Sequence, residues 1–317
     1  MEITAGPHGD TISKVCCGSR YILTTSWDST AALCNYDGRS ALRATFDGPV
    51  LSGCFSSDES RLFVGSTEKR VAMVDIESSK ISGVGSVFSA PVSQVCPNAP
   101  GGPWSLIAAS QDGHLQTIDA RQPGGISYKI DPKVVCADTA SNTLVLGLED
   151  RGVQVLDLRQ ISKPLFTRKL NLEHPLAQVR CSVDGKIFAA SSLASRIVVE
   201  KAEPQPSAEN FLFRAHRVAT DNGYDAHAVF GLAFHPLDNN ILVTGGTDCS
   251  VAVWDLKKRE CINSYCNLLY NVSGLDVSPA GDSMAIALSS MPYLRTPAQS
   301  KNSNPSTLLI KKNIKLV

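Results

Sequence analysis

The hydrophobic pattern of this chain is built on one 14-residue phrase that returns six times. Each copy has an apolar strand ending in small residues, a polar turn at its fifth to eighth positions, and a second strand of alternating character. The copies begin at Leu23, Phe63, Ile107, Val145, Ala189 and Val243, so they lie 40, 44, 38, 44 and 54 residues apart. This spacing matches the ~40–45-residue period of four-stranded propeller blades, with one longer insertion.

A further apolar stretch precedes each phrase and predicts a first strand for each repeat. These stretches cover residues 12–17, 50–55, 92–96, 134–137, 176–181, 229–234 and 272–277. Turn residues such as Ser278-Pro279-Ala280-Gly281 follow most of them, which is typical of a β-meander. No segment keeps a 3.6-residue period, so we expect almost no helix. Trp254-Asp255 is the one true signature dipeptide of such blades, so a motif search should find only one or two of them.

The seventh repeat is weaker and lacks an obvious fourth strand. Its apolar segments cover 284–288 and 308–310, and the polar stretch 297–306 is expected to form a loop. The first four residues alternate in character, so we expect the N-terminus to supply the missing strand and close the ring. The sequence therefore predicts an all-β fold: a single seven-bladed β-propeller of four-stranded antiparallel blades spanning residues 1–317.

Composition adds little that points to a particular ligand. Thirty basic and thirty acidic residues cancel and the pI is about 7.0, so we expect no strong nucleic-acid binding. There is neither an N-terminal signal nor a run of ~18 apolar residues, so we expect no membrane association. The ten cysteines form no CxxC pair, which favours free buried thiols in a reducing compartment. A solvated strand end explains Lys311, Lys312 and Lys315.

The sequence contains no recognisable catalytic motif. It has no glycine-rich phosphate loop, no HExxH and no nucleophile elbow. Its six histidines have no metal-ligand spacing with one another or with cysteine. We therefore expect a protein without enzymatic activity, cofactor or metal.

Partner binding is expected on one rim of the propeller. In this fold the turn between the second and third strands of each blade lies at the same end as the connections between blades. Trp27 stands in that turn of the first blade, where its ring is either an interface anchor or folded over its own blade. Further candidate rim contacts are Arg70, Gln111, Glu149 and Thr247.

Two arginines are candidates for binding an acidic group. Arg196 follows a turn in which Ala194-Ser195 replaces the usual acid, so we expect an unpaired guanidinium suited to a carboxylate or phosphate. A solvated surface arginine is the alternative. Arg217 is expected to end the fourth strand of the fifth blade and to reach the same rim. Arg214 and His216 lie in the same strand end, where successive side chains point in opposite directions, so only some of the three residues can face a ligand. We favour Arg217 because it begins the loop.

Three segments around these residues resemble a known family. Residues 194–200 (ASRIVVE), 210–217 (NFLFRAHR) and 228–236 (AVFGLAFHP) are similar to the spindle-checkpoint propeller of the "budding uninhibited by benzimidazole" type and to its sister, the messenger-RNA export propeller. Residues 26–28 (SWD) and 245–248 (GGTD) add to the resemblance. Gln111 stands where those proteins repeat the turn tryptophan, and Ala215 stands where they have cysteine.

The resemblance implies a monomeric, non-enzymatic adaptor. In the checkpoint branch the implied partners are checkpoint kinases or pseudokinases with a GLEBS motif containing paired glutamates, and phosphothreonine repeats of a kinetochore scaffold. In the export branch the partner is a nucleoporin GLEBS motif. Arg196 would pair with a partner glutamate, Trp27 would pack against the bound segment, and Arg217 would meet phosphate. The implied location is the nucleus, with the kinetochore in mitosis, and the cytoplasm stays open. The checkpoint role is our first interpretation and export the alternative.

Overall fold

Seven four-stranded antiparallel sheets form the blades of a propeller. A computed structural model describes residues 2–221, 223–290, 306–312 and 314. The seven-bladed, all-β prediction is confirmed. The short 3-10 helix Ala99–Gly101 is the helical element of the described residues, and it lies in a Gly/Pro-rich loop. Over the same described ranges, no helix is long and apolar enough to cross a membrane.

The strands are numbered in chain order, and β1 is Glu2–Ala5. Blade 1 contains β2 to β5 at Ile12–Cys17, Tyr21–Ser26, Thr30–Asn35 and Ser40–Thr45. Blade 2 contains β6 to β9 at Val50–Phe55, Arg61–Ser66, Val71–Asp75 and Ile81–Val84. Blade 3 contains β10 to β13 at Val92–Pro97, Ser105–Ser110, His114–Asp119 and Ile126–Lys129. Blade 4 contains β14 to β17 at Val134–Ala140, Thr143–Leu148, Gly152–Asp157 and Pro164–Lys169.

The fifth and sixth blades are separated by an extra hairpin. Blade 5 contains β18 to β21 at Leu176–Cys181, Ile187–Ser192, Arg196–Lys201 and Phe211–Arg214. The hairpin is formed by β22 at Arg217–Thr220 and β23 at Gly223–Ala226. Blade 6 contains β24 to β27 at Val229–His235, Asp238–Gly246, Ser250–Asp255 and Glu260–Tyr265. The insertion accounts in part for the longest interval between sequence repeats.

The seventh blade joins the two ends of the chain. It contains β28 to β30 at Asn271–Val277, Ser283–Ser289 and Ser306–Lys312, and β1 is its outer strand. The register pairs Glu2 with Lys311 and Ala5 with Leu308, so the predicted closure by the N-terminal strand is confirmed. Of the loop predicted at 297–306, only Ser306 belongs to the described residues, and it begins β30.

The hydrophobic core is divided among the junctions between blades. Seven clusters of buried side chains each combine residues of two neighbouring blades. Phe63 and Phe188 are the largest fully buried side chains, and each lies in one of these clusters. Because burying one Leu, Val or Phe contributes roughly 1.5–3 kcal/mol, every junction supplies a substantial share of the stability. The inner strands contact one another in a complete circle, and this holds both rims in place.

Charged side chains on the inner strands bind neighbouring blades together around the axis. Arg180 of blade 5 donates from Nε to the carbonyl of Leu232 in blade 6 at 3.0 Å, and its Nη1 lies 3.4 Å from Asp138 of blade 4. Asp276 of blade 7 accepts a hydrogen bond from the backbone N–H of Cys17 at 2.8 Å. Burial raises the pKa of Asp276 although Arg180 opposes the shift. These groups link blades 4 to 6, and separately blades 7 and 1.

All ten cysteines are free thiols, as the sequence predicted. Six of them are buried, and Cys261 and Cys266 are exposed.

The two basic residues at the described C-terminal end are both paired: Lys311 with Glu2 at 2.6 Å, and Lys312 with Asp37 at 2.5 Å. Lys311 also lies over the Tyr265 ring. These lysines therefore bind the last strand to its neighbours, whereas Lys315 lies outside the described residues.

Candidate partner-binding rim

The turns between the second and third strands of each blade lie at the same end of the propeller as the connections between blades. We call this end the upper rim. The opposite end, with the remaining turns, is the lower rim. The antiparallel strand order places Trp27, Arg196 and Arg217 on the upper rim. Trp27 and Arg196 lie at turns between the second and third strands of their blades, and Arg217 lies in the connection between blades 5 and 6. This shared rim follows from topology alone.

The Trp27 turn is held rigidly while its indole stays accessible. Asp28 accepts hydrogen bonds from Thr30 N at 3.0 Å and from Gly9 N at 2.8 Å. The Trp27 backbone N–H donates to Thr11 O at 3.0 Å. The Trp27 residue is 51% exposed, so its ring is not folded away over the blade. A half-exposed indole on a fixed turn can pack against a bound segment at low entropic cost.

Arg196 has a carboxylate partner that the sequence did not predict. Its Nη2 lies 2.9 Å from Oε2 of Glu173, which belongs to the connection between blades 4 and 5. The expectation of an unpaired guanidinium was therefore wrong. The reason is that Glu173 lies 23 positions earlier in the chain, in the connection that leads into blade 5, and the fold brings this connection next to the turn before Arg196.

Arg217 also differs from its predicted setting. The fourth strand of blade 5 ends at Arg214, and Arg217 begins the separate hairpin. His216 causes the break because its backbone takes a φ of 55° and its side chain turns into the interior. The Arg217 guanidinium lies 4.4 Å from the centre of the Tyr224 ring on the facing hairpin strand. Both side chains are exposed, and together they form a cation–aromatic pair above the rim.

The other predicted rim contacts are divided between surface and core. Arg70, Gln111 and Glu149 are exposed. Gln111 takes in blade 3 the turn position that Trp27 takes in blade 1. Thr247 is only 7% exposed, and its Oγ1 accepts a hydrogen bond from Ala228 N at 3.1 Å. The expectation of a rim contact through the Thr247 side chain is therefore corrected, because that side chain binds two parts of blade 6 together.

A buried histidine network, which the sequence interpretation missed, fixes the upper rim beside the hairpin. His216 Nδ1 lies 2.9 Å from Asp248 Oδ1, and Nε2 lies 2.8 Å from Thr244 Oγ1. Trp254 Nε1 donates to the same Thr244 oxygen at 3.0 Å. A Cβ at Gly246 would lie 2.5 Å from the His216 ring, so only glycine fits there. Burial alone would raise the pKa of Asp248, but hydrogen bonds from His216 and Ser250 outweigh it and lower the pKa.

A similar network supports the Trp27 turn in blade 1. His8 Nδ1 lies 2.8 Å from Thr30 Oγ1, and His8 Nε2 lies 2.8 Å from Thr24 Oγ1. Asp28 lies 3.4 Å from Nδ1. Burial lowers the pKa of His8, although Asp28 acts in the opposite direction. In both networks a histidine that precedes the first strand of a blade meets the aspartate of a later turn. The separation is 20 residues for His8 and Asp28 but 32 for His216 and Asp248, so no fixed spacing in the sequence marks the pair.

The fold defines the class of this protein as a seven-bladed β-propeller, and one part of it is similar to the WD40 repeat. The family description "WD domain, G-beta repeat" matches residues 217–255, which cover the hairpin and most of blade 6. This agrees with the expectation that a motif search finds only one or two blades, since the matched repeat ends with Trp254-Asp255.

Relatives of the chain carry two kinds of name. "Mitotic checkpoint protein bub3" of Dictyostelium discoideum is 29% identical over 295 residues, covering 89% of this chain and 87% of the relative. "Protein Rae1" of Drosophila melanogaster is 28% identical over 255 residues, covering 77% and 73%. "Poly(A)+ RNA export protein" of Schizosaccharomyces pombe is 26% identical over 292 residues, covering 90% and 83%. The chain is therefore similar along most of its length both to a relative named for the mitotic checkpoint and to one named for RNA export.

Proposed function

We propose that this propeller is a non-enzymatic adaptor of the mitotic spindle assembly checkpoint. It binds GLEBS-type motifs of checkpoint kinases or pseudokinases, and phosphothreonine repeats of a kinetochore scaffold, through its upper rim. The observation that carries the proposal is the combination on that rim of a half-exposed tryptophan, Trp27, with the guanidinium groups of Arg196 and Arg217. The similarity to a relative named as a mitotic checkpoint protein supports the checkpoint assignment.

The three side chains have complementary roles in this proposal. Trp27 packs against apolar side chains of the bound segment. Arg196 forms a fork with a partner carboxylate, for which guanidinium geometry is well suited. Arg217 meets phosphate, which carries about −1.5 to −2 charge at neutral pH. The Tyr224 ring carries no negative charge, so the positive charge of Arg217 stays available to attract an anion such as phosphate.

A messenger-RNA export adaptor that binds a nucleoporin GLEBS motif is the second candidate. Relatives named "Protein Rae1" and "Poly(A)+ RNA export protein" favour it, and the same rim would serve. Both candidates place the protein in the nucleus, and the checkpoint role also places it at kinetochores in mitosis.

Affinity capture of the tagged protein from mitotic cells separates the two candidates. We expect checkpoint kinases and a kinetochore scaffold among the captured proteins, with capture of the scaffold lost after phosphatase treatment. Capture of nucleoporins alone would replace the checkpoint proposal with the export one. Unchanged capture of the scaffold after phosphatase treatment would remove the phosphate role of Arg217.

A further inference from the structure

We infer that Arg196 and Arg214 form a two-guanidinium site for a pair of closely spaced carboxylates, and that Glu173 is the internal competitor of this site. The inference rests on the proposed function, because it concerns the same rim and the same acidic partner. It adds a second cation and a built-in carboxylate that the incoming segment has to displace.

The β20–β21 register places the two arginines side by side. Arg196 pairs directly with Arg214 across the two antiparallel strands. Residues in such positions point to the same face of the sheet with Cβ atoms about 4.5–5.5 Å apart, and like charges there repel each other. Arg214 is exposed, and no carboxylate within the described ranges forms an ion pair with it. The pair therefore carries more positive charge than Glu173 alone neutralises.

Glu173 reaches Arg196 from a firmly held backbone. Nη1 of Arg151 donates to the carbonyls of Leu172 at 3.3 Å and Glu173 at 3.1 Å. Leu172 and Leu176 are buried on either side of this point. The Glu173 side chain itself is 66% exposed, whereas that of Arg196 is 22% exposed. Rotation of the Glu173 side chain is therefore enough to release Arg196, and the backbone can stay in place.

This arrangement favours a doubly acidic ligand over a singly acidic one. A ligand with a single carboxylate only replaces the Glu173 carboxylate with an equivalent group, so its contact with Arg196 adds little binding free energy. Two neighbouring carboxylates bind both guanidinium groups and relieve the repulsion between them. The position of Glu173 thus makes the site selective for paired acidic residues.

Isothermal titration calorimetry of the full chain tests this inference with a GLEBS peptide containing paired glutamates. Because exposed ion pairs are weak, we expect Glu173→Gln to tighten binding by about two- to fivefold. Glu209→Gln is the matched control, since Glu209 forms a similar exposed ion pair with Lys201 at 2.9 Å on the lower rim, and it should leave the affinity unchanged. In an Arg196→Ala background, Glu173→Gln should have no effect.

The second arginine is tested with a peptide in which one of the paired glutamates is glutamine. Arg214→Ala should weaken the doubly acidic peptide more than the singly acidic one. Arg121→Ala on the lower rim is the control and should change neither affinity.

The outcomes distinguish this inference from the proposed function. If Arg196→Ala weakens binding but Glu173→Gln does not tighten it, the competitor role is wrong and the proposed function stands. A Glu173→Gln gain that persists without Arg196 would also overturn it. Equal losses for both peptides in Arg214→Ala would overturn the paired site. If Arg196→Ala does not weaken binding, the proposed partner site itself is wrong. Thermal melting of each variant checks that the fold is intact.

Discussion

His216 and Asp248 are joined by a 2.9 Å contact that connects the end of blade 5 to the turn between β25 and β26 of blade 6. Because a carboxylate only accepts hydrogen bonds, Nδ1 of the imidazole is the donor, and Nε2 faces the Thr244 hydroxyl. The side chain of His216 is 1% exposed and that of Asp248 8% exposed. This buried pair fixes the backbone from which the Arg217 hairpin starts.

Replacing Asp248 by Asn should destabilise the protein by about 1–3 kcal/mol, because the buried imidazole loses its charged acceptor. Urea unfolding followed by circular dichroism measures the change. Asp225→Asn is the control, since Asp225 is exposed on the hairpin, and it should leave the unfolding midpoint nearly unchanged. An equal effect of the two substitutions would mean that the network is not a stabilising element.

His8 should make stability depend on pH. Burial lowers its pKa below 6.5 in the folded protein, so the unfolded chain binds more protons as the pH falls through this range. The stabilisation is therefore complete above about pH 6.5 and is lost as the pH falls towards the folded-state pKa. Melting temperatures at pH 7.5 and 5.5 measure the change for the unmodified protein and for His8→Gln.

We expect the pH-dependent change to be smaller in His8→Gln, whose amide has no proton to gain in this range. Asp28 and Arg43 face His8 and oppose each other electrostatically, with Asp28 raising the pKa and Arg43 lowering it. The same pH-dependent loss in both proteins would assign the titration to another group.

Arg180 should contribute strongly to the stability of the inner strands around the axis. Burial alone would lower its pKa, but Asp138 and Asp276 raise it, so the guanidinium stays charged. Arg180→Met leaves Asp138 with one partner fewer in a desolvated setting and should cost on the order of 3 kcal/mol in unfolding free energy. Lys186→Met, at a side chain that is 81% exposed, is the control. If Arg180→Met lowers the unfolding free energy no more than the control does, then packing, and not charge, holds the inner strands together.

Trp27→Ala should reduce binding of a GLEBS peptide by about 2 kcal/mol or more while leaving the fold intact. The reason is that a half-exposed indole contributes less to the core than to a contact surface. Leu237→Ala removes an even more exposed apolar side chain, at 74%, from the lower rim and should not affect binding. Calorimetry gives the affinity and thermal melting the stability. A variant that loses stability but keeps its affinity would assign Trp27 to the fold.

The repeat pattern predicted the strands well because each blade carries its own signals. The first strands of blades 1, 2 and 5 begin and end where the apolar stretches do, at Ile12–Cys17, Val50–Phe55 and Leu176–Cys181. Blade 7 was also predictable, since the missing outer strand required a partner and Glu2–Ala5 has the alternating character to provide it. Local patterning and the need to cover sheet edges were sufficient for these features.

The side-chain partners on the rim were not predictable in the same way. His216 and Asp248 are 32 residues apart, and Glu173 reaches Arg196 from the connection between blades 4 and 5, 23 residues earlier in the chain. Periodicity carries no information about such contacts. Arg217 was placed at the end of a strand because the pattern continues there, whereas the strand ends three residues earlier, at Arg214, before the left-handed backbone of His216.

A crystal structure of the full chain with a GLEBS peptide would locate the partner-binding surface. We expect the peptide to lie across the upper rim, with an apolar side chain on Trp27 and a glutamate on Arg196. We also expect the Glu173 side chain to have turned away from Arg196. A peptide bound to the lower rim or to the outer strands, with the Arg196–Glu173 pair intact, would show that the upper rim is not the binding surface.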